Sequence, residues 1–97
     1  MTVLTIKIQA PQESHRELMQ TIQSLLNSIR NQSGCLDACL SQDSCPKGCT
    51  QAAIYLTEKW ETQADVDAHL QSSDYAILLG AVSVLRGQSE FEFKDPE

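Results

Sequence analysis

The chain predicts an α+β fold in which a four-stranded antiparallel sheet carries its helices on one face. In four segments apolar and polar residues alternate, as they do in half-buried strands. Two further segments place apolar residues three and four positions apart, which is typical of amphipathic helices. The segments follow one another as strand, helix, strand, strand, helix, strand. This is the ferredoxin-like βαββαβ order, which places both helices on the same side of the sheet.

The first strand and the first helix have clear boundaries in the sequence. The strand is predicted at 2–9 by strict alternation, and Pro11 ends it. The helix that follows, at 12–31, carries a single apolar stripe that would pack on the sheet. Gly34 is a candidate for its C-terminal cap.

The second and third strands of the chain flank a loop. The second strand is predicted at 35–41, with Leu36 and the other even-numbered residues on one face. The segment 42–50 is rich in turn-forming residues and predicts a loop. Alternation resumes at 51–60, which predicts the third strand.

The second helical region contains two start signals. Thr62 with Asp65 three residues later resembles a capping box, and 72–74 offers a second cap, so the first of these helices is short. A longer helix is predicted at 74–86, and a last strand at 90–94 has Phe91 facing inward. The predicted buried stripe of the longer helix is Ile77, Leu78, Ala81, Val82 and Leu85.

Length and charge limit the partners. A chain of 97 residues forms a single domain, 1–97, and with aromatic residues at 5% its core depends on aliphatic side chains. The net charge of −6 disfavours nucleic acid and anionic lipid. No apolar run approaches the roughly 20 residues that span a bilayer, and the alternating N-terminus does not resemble a signal peptide. We therefore expect a cytoplasmic protein whose uncovered sheet face is buried by a second copy.

A carboxylate, an indole and an imidazole are predicted to meet where the third strand gives way to a helix. Glu58 and Trp60 share one face of that strand, and His69 lies one helical turn after Asp65, which could accept its hydrogen bond. Tyr75 adds a hydroxyl at the next helix junction. An imidazole can exchange protons near neutral pH. The alternative is structural: Trp60 fills the core edge, His69 is solvated and Glu58 is a surface or interface ion-pair partner.

The four cysteines leave several possibilities open. Cys35 and Cys39 lie about 13 Å apart on one strand, too far for a disulfide with each other. Cys45 and Cys49 flank a tight turn and are candidates for a disulfide or redox pair, with Lys47 lowering a thiol pKa. The spacing does not match the paired Cys-x2-Cys of common zinc sites, so we expect no metal. Plain, unreactive thiols are the other possibility.

Several segments resemble the antibiotic biosynthesis monooxygenase family. The similarity lies in the segment 56–60, which contains Glu-x-Trp, in the helix around His69, and in Ser73-Asp74-Tyr75 after it, with Gly34-Cys35 before the second strand. The resemblance implies a dimeric α+β barrel, with a homodimer and a small hydrophobic pocket between sheet and helices. The haem-degrading branch carries a haem-ligating His where this chain has Leu79, so the resemblance implies no cofactor.

The function that the resemblance implies is a cofactor-independent monooxygenase that oxidises a small phenolic or quinol substrate with molecular oxygen. His69 would be the base or orienting group, Glu58 would hold it, and Trp60, Tyr75 and Asp65 would line the pocket. An isomerase on the same scaffold is one alternative. A non-catalytic dimer that uses Cys45 and Cys49 for redox or metal binding is another.

Overall fold

The computed structural model describes residues 1–42 and 51–94 and contains the predicted elements in the predicted order. The α+β, ferredoxin-like fold is therefore confirmed. The strands are β1 (Thr2–Pro11), β2 (Cys35–Gln42), β3 (Gln51–Trp60) and β4 (Gln88–Lys94). The helices are α1 (His15–Arg30), α2 (Gln63–Leu70) and α3 (Ser73–Val84).

The sheet has the strand order β2-β3-β1-β4, and all three pairings are antiparallel. β1 and β3 are central, and their register places Leu4 opposite Glu58 and Ile6 opposite Leu56. Every second residue of β1 is buried, which is the alternation read from the sequence. The core therefore lies between one sheet face and the helices. Its large aliphatic members are Leu4, Ile6, Ile8, Leu18, Ile22, Leu25, Ile29, Ile54, Leu56, Val66, Leu78 and Val82.

The first helix begins later than the sequence predicted. Residues Gln12–Ser14 form a single 3-10 turn, and the α-helix starts at His15. Helices often begin with such a turn. Pro11, which precedes the turn, has an extended backbone with φ −54° and ψ 145°, and its ring fixes φ near this value.

A β-bulge in β2 overturns part of the predicted face assignment. Cys35 pairs with Trp60, but the next paired residue is Asp37, opposite Lys59. The extra residue, Leu36, is 52% exposed, whereas Cys35 packs against the core. The prediction that Leu36 shares the inner face with Ala38 is wrong because a bulge shifts the alternation by one residue.

The apolar surface of α3 is wider than its buried side. Tyr75, Leu78 and Val82 are buried, but Ile77 is 52% exposed, so its predicted burial is wrong. Leu78 and Val82, which belong to the same predicted stripe, are buried as predicted. Phe91 also remains 48% exposed although it pairs with a core position of β1, because β4 is an edge strand.

None of the helices formed by residues 1–42 and 51–94 covers the other face of the sheet, and that face is mostly polar. Thr5, Lys7 and Gln9 on β1 and Thr57 and Lys59 on β3 point to that side. The pairing of two copies through this face stays a prediction. Within residues 1–42 and 51–94, no helix combines the length and the apolar character needed to cross a membrane.

Gly34 lies in the turn between α1 and β2, where the chain passes close to the start of α2. Its φ of +85° is in the left-handed region, which favours glycine. A Cβ at this position would overlap the Asp65 carboxyl group. Its carbonyl also accepts a 2.8 Å hydrogen bond from the backbone N–H of Glu61. The turn before β2 and the start of α2 therefore depend on a residue without a side chain.

We predict opposite effects for two glycine substitutions. Gly34→Ala lowers the free energy of unfolding by about 1–3 kcal/mol, because it combines backbone strain with the overlap on Asp65. Gly80→Ala raises it by about 0.5–1 kcal/mol, because Gly80 is an exposed position of α3 with no atom within 4 Å of a new Cβ. Urea denaturation of both variants tests this, and equal effects of the same sign would contradict it.

Candidate active site

Two capped helix starts place the candidate side chains over the end of β3. Thr62 caps α2 by accepting a hydrogen bond from the backbone N–H of Asp65. Ser72 caps α3 by accepting one from the backbone N–H of Tyr75. Such caps satisfy free N–H groups and define where each helix begins. As a result, His69 in the last turn of α2 and Tyr75 in the first turn of α3 are held close together.

The side chains of Glu58, Trp60 and His69 form a buried cluster. Glu58 and Trp60 are 0% exposed and His69 is 1% exposed. The indole Nε1 of Trp60 donates a 3.1 Å hydrogen bond to Glu58 Oε1. The same oxygen lies 3.0 Å from His69 Nε2. The solvated histidine and surface carboxylate of the structural alternative are therefore wrong, and the predicted meeting of the three groups is found.

The other ring nitrogen of His69, Nδ1, contacts Gln32, which is in turn hydrogen-bonded to Asp74. Neither residue was among the predicted site residues. Nδ1 lies 2.9 Å from Gln32 Oε1. The amide nitrogen of Gln32 donates a 2.7 Å hydrogen bond to Asp74 Oδ2, and the hydroxyl of Ser28 donates to the same oxygen at 2.7 Å. His69 thus lies between a buried carboxyl group on one side and an amide held by a carboxylate on the other.

The contact between His69 and Glu58 requires a proton. Nε2 is within hydrogen-bond distance of Oε1, yet it has no aligned hydrogen-bond partner among the described residues. The short distance is the better guide to this contact, because a small rotation of the imidazole restores alignment. Two lone pairs 3.0 Å apart, in contrast, would repel each other. Either Nε2 or the carboxyl group therefore carries a hydrogen. Glu58 Oε2 is also buried without a partner among these residues, so the pair holds unused hydrogen-bonding capacity.

Aromatic rings enclose the imidazole. The ring centroids of Trp60 and His69 are 4.8 Å apart with an interplanar angle of 30°, and those of His69 and Tyr75 are 5.8 Å apart at 57°. Burial raises the pKa of Tyr75, and the charge of Glu58 raises it further. The same two causes, burial first, raise the pKa of the Cys35 thiol. The field of Glu58 thus reaches neighbours on two different elements, α3 and β2.

An open cleft of about 580 Å³ reaches His69 from outside. Its walls come from the end of α1 and from the junction of α2 and α3. The residues that line it are Ser28, Gln32, Ser33, Asp65, Ala68, His69, Ser72, Ser73 and Asp74. Nδ1 is the nitrogen on the cleft side, because its partner Gln32 lines the cleft and Glu58 does not. Its lining residues are mostly polar by type, but apolar atoms form the larger part of its exposed surface, and the hydrophobic pocket that the resemblance implied stays a prediction.

The remaining predicted site residues have different positions. Asp65 lines the cleft, but its carboxylate accepts a 2.9 Å hydrogen bond from the Thr62 hydroxyl, so the predicted hydrogen bond from His69 is wrong. His69 contacts Gln32 and Glu58 instead. Cys45 and Cys49 lie outside the described residues. Among the residues that are described, no three His, Cys, Asp or Glu side chains are grouped to hold a metal ion.

Gln32 and Asp74 were missed because their pairing joins distant parts of the chain. The contact of Gln32 with His69 spans 37 residues, and that of Gln32 with Asp74 spans 42. In the sequence Asp74 indicated only a helix start. Its position two residues before the candidate cap Gly34 was the one signal in the sequence for Gln32.

The ionisation of Tyr75 tests the electrostatics of this cluster. In a Tyr55→Phe background, we expect tyrosinate absorption to report a pKa for Tyr75 above the ordinary 10.0. Glu58→Gln should lower this pKa only in part, because burial is the larger cause. Glu61→Gln, at an exposed carboxylate nearby, is the matched control and should leave it unchanged.

The sign of the stability change follows from the raised pKa. The contribution of neutral Tyr75 to stability is complete below pH 10.0 and is lost as the pH rises through the higher pKa of the folded state. Titration of Tyr75 at its ordinary pKa would contradict the burial and the field that the structure describes.

Known structures share the fold over the whole chain. A Deinococcus radiodurans protein assigned to the antibiotic biosynthesis monooxygenases has a TM-score of 0.86 at 18% identity, with 100% of this chain and 93% of that chain covered. Rv0793 from Mycobacterium tuberculosis gives 0.78 at 18% identity, covering 100% and 96%. SnoaB from Streptomyces nogalater, a cofactor-independent oxygenase, gives 0.71 at 13% identity, covering 99% and 98%. At these identities the similarity establishes the fold alone.

The family is established by sequence. The search of curated proteins finds no match for this chain. The family model described as antibiotic biosynthesis monooxygenase matches residues 1–76, which contain β1 to α2, the start of α3 and all members of the buried cluster. Because the match covers well over half of the 97 residues, the chain belongs to the antibiotic biosynthesis monooxygenase family.

Proposed function

We propose that this protein is a cofactor-independent monooxygenase that oxidises a small phenolic or quinol substrate with molecular oxygen. The observation that carries the proposal is the arrangement of His69, with Nε2 on the buried Glu58 and Nδ1 on the side of the cleft. A carboxylate that orients an imidazole from behind is a common way to prepare a ring nitrogen for proton transfer. Family membership supports oxygen chemistry as the use of that proton transfer.

The cleft suits a ligand that carries hydroxyl groups. Its volume of about 580 Å³ is in the range typical of small-molecule sites, roughly 300–1,000 Å³. Serine hydroxyls, an amide and two carboxylates line it, and all can pair with a phenolic O–H. Ala68 and the rim of the imidazole provide apolar surface for a ring.

The reaction begins with proton transfer from the substrate. The proton of a phenolic hydroxyl passes to water in the open cleft, and the phenolate oxygen then accepts the Nδ1 hydrogen of His69 while Glu58 holds the ring through Nε2. The resulting phenolate ring is rich enough in electrons to reduce oxygen. For a hydroquinone, one oxygen atom replaces a ring hydrogen and the other leaves as water, so that a hydroxyquinone forms. The substrate supplies all four electrons, and no further reductant is required.

The proposal includes a homodimer formed through the uncovered sheet face. That face contains a small hollow of about 110 Å³, lined by Thr5, Lys7, Tyr55, Glu90 and Glu92. Basic and acidic side chains are both present there, so two copies related by a two-fold axis can place unlike charges opposite each other.

Oxygen uptake with a panel of hydroquinones and naphthols tests the proposed activity. We expect turnover above background, with one atom of labelled oxygen in the product. His69→Gln should lower kcat by roughly 10²-fold or more, which is the contribution of a positioned acid or base. His15→Gln, the matched histidine at the start of α1, should keep the wild-type rate.

Two results would contradict the proposal. One is equal, near-background oxygen uptake by wild-type protein and His69→Gln. The other is full turnover under anaerobic conditions, which would indicate a proton-transfer enzyme such as an isomerase.

A further inference from the structure

The orientation of the Gln32 amide determines which nitrogen of His69 carries a hydrogen. Asp74 Oδ2 accepts from the Ser28 hydroxyl and lies 2.7 Å from the amide nitrogen of Gln32. The reversed amide would place its oxygen against that carboxylate and is therefore disfavoured. The amide oxygen must then face Nδ1, at 2.9 Å. Because an amide oxygen only accepts, Nδ1 must be the donor.

We infer that Gln32, held by Asp74, is a positioning residue that keeps Nδ1 of His69 protonated and occupies the place of the substrate oxygen. A phenolate oxygen and an amide oxygen can both accept a hydrogen bond from Nδ1, so either one requires a hydrogen on that nitrogen. A substrate that enters the cleft can therefore replace Gln32 at Nδ1 without any rearrangement of His69. The imidazole is thereby prepared to stabilise the phenolate that the oxidation requires.

The burial of the surrounding groups makes this arrangement effective. His69 is 1% exposed and Gln32 is only partly exposed, so bulk water cannot easily replace either partner. On the far side of the ring, a hydrogen shared between Nε2 and Glu58 satisfies their 3.0 Å contact. Without an acceptor at Nδ1, the ring would keep only the hydrogen on Nε2, next to the carboxylate. Gln32 is thus the group that holds a hydrogen on Nδ1.

Nitrogen NMR of protein labelled in its histidine rings tests the inference without any substrate. At neutral pH we expect His69 Nδ1 to carry a hydrogen in the wild-type protein, with the His15 signals assigned from His15→Gln. Gln32→Met should shift the population so that most molecules have a bare Nδ1. Gln32→Glu combined with Asp74→Asn keeps an acceptor oxygen at Nδ1 and places an amide donor opposite it, so this double variant should restore the protonated Nδ1. Gln23→Met, at an exposed position of α1, is the matched control and should not differ from wild type.

The test remains decisive if Gln32→Met does not fold. Asp74→Asn removes the carboxylate that fixes the amide, and it should also increase the population with a bare Nδ1. A bare Nδ1 in the wild-type protein would overturn the inference. So would a population unchanged in both Gln32→Met and Asp74→Asn.

The effect on turnover rests on the proposed function, and the NMR result does not. With an active quinol substrate, Gln32→Met should lower kcat by about tenfold or more, while Gln32→Glu combined with Asp74→Asn recovers part of it. Absence of oxidation by the wild-type protein would contradict the proposed function alone, because the tautomer is measured in protein without substrate.

Discussion

The contact between the carboxyl group of Glu58 and the imidazole of His69 is the constraint on which this structure depends. Both side chains are removed from water, where an unpaired polar group costs about 1–3 kcal/mol and an unpaired charge considerably more. Neither can therefore be buried without the other. The hydrogen bond from the Trp60 indole further stabilises the carboxyl group, and Gln32 pairs the remaining nitrogen of the ring. The polar cluster is stable only as a set.

The fold brings these groups together through local devices at three places. Alternation along β3 places Glu58 on the helix side of the sheet, the Thr62 cap starts α2 at the right residue, and Gly34 allows the chain to turn closely past α2. Gln32 lies in the same turn after α1 as Gly34. The close contact of this turn with α2 therefore also brings the Gln32 amide to Nδ1 of His69. The packing of the turn against α2 and the polar contact between Gln32 and His69 thus both depend on how closely this turn approaches α2.

The features of the fold and of the site that the sequence predicts are those that depend on residues close together in the chain. The faces of Glu58 and Trp60 follow from two-residue alternation, and the cap at Thr62 follows from its spacing to the next acidic residue. The bulge at Leu36 was not predictable, because it depends on pairing with another strand. The role of Gln32 was not predictable either, because its partners are 37 and 42 residues away and amides carry no distinctive pattern. Local periodicity thus predicts which side chains face the core, and only the tertiary structure shows how their hydrogens are shared.

A double-mutant cycle on the buried pair tests the central claim most directly. Glu58→Leu and His69→Leu should each lower the free energy of unfolding by about 3–5 kcal/mol, because each leaves a buried partner unpaired. The double variant removes both polar groups, so its loss should be smaller than the sum by about 1–3 kcal/mol. Urea denaturation of the four proteins gives this coupling energy. Losses that add to within about 0.5 kcal/mol would show that the two side chains are buried independently, and would contradict the account.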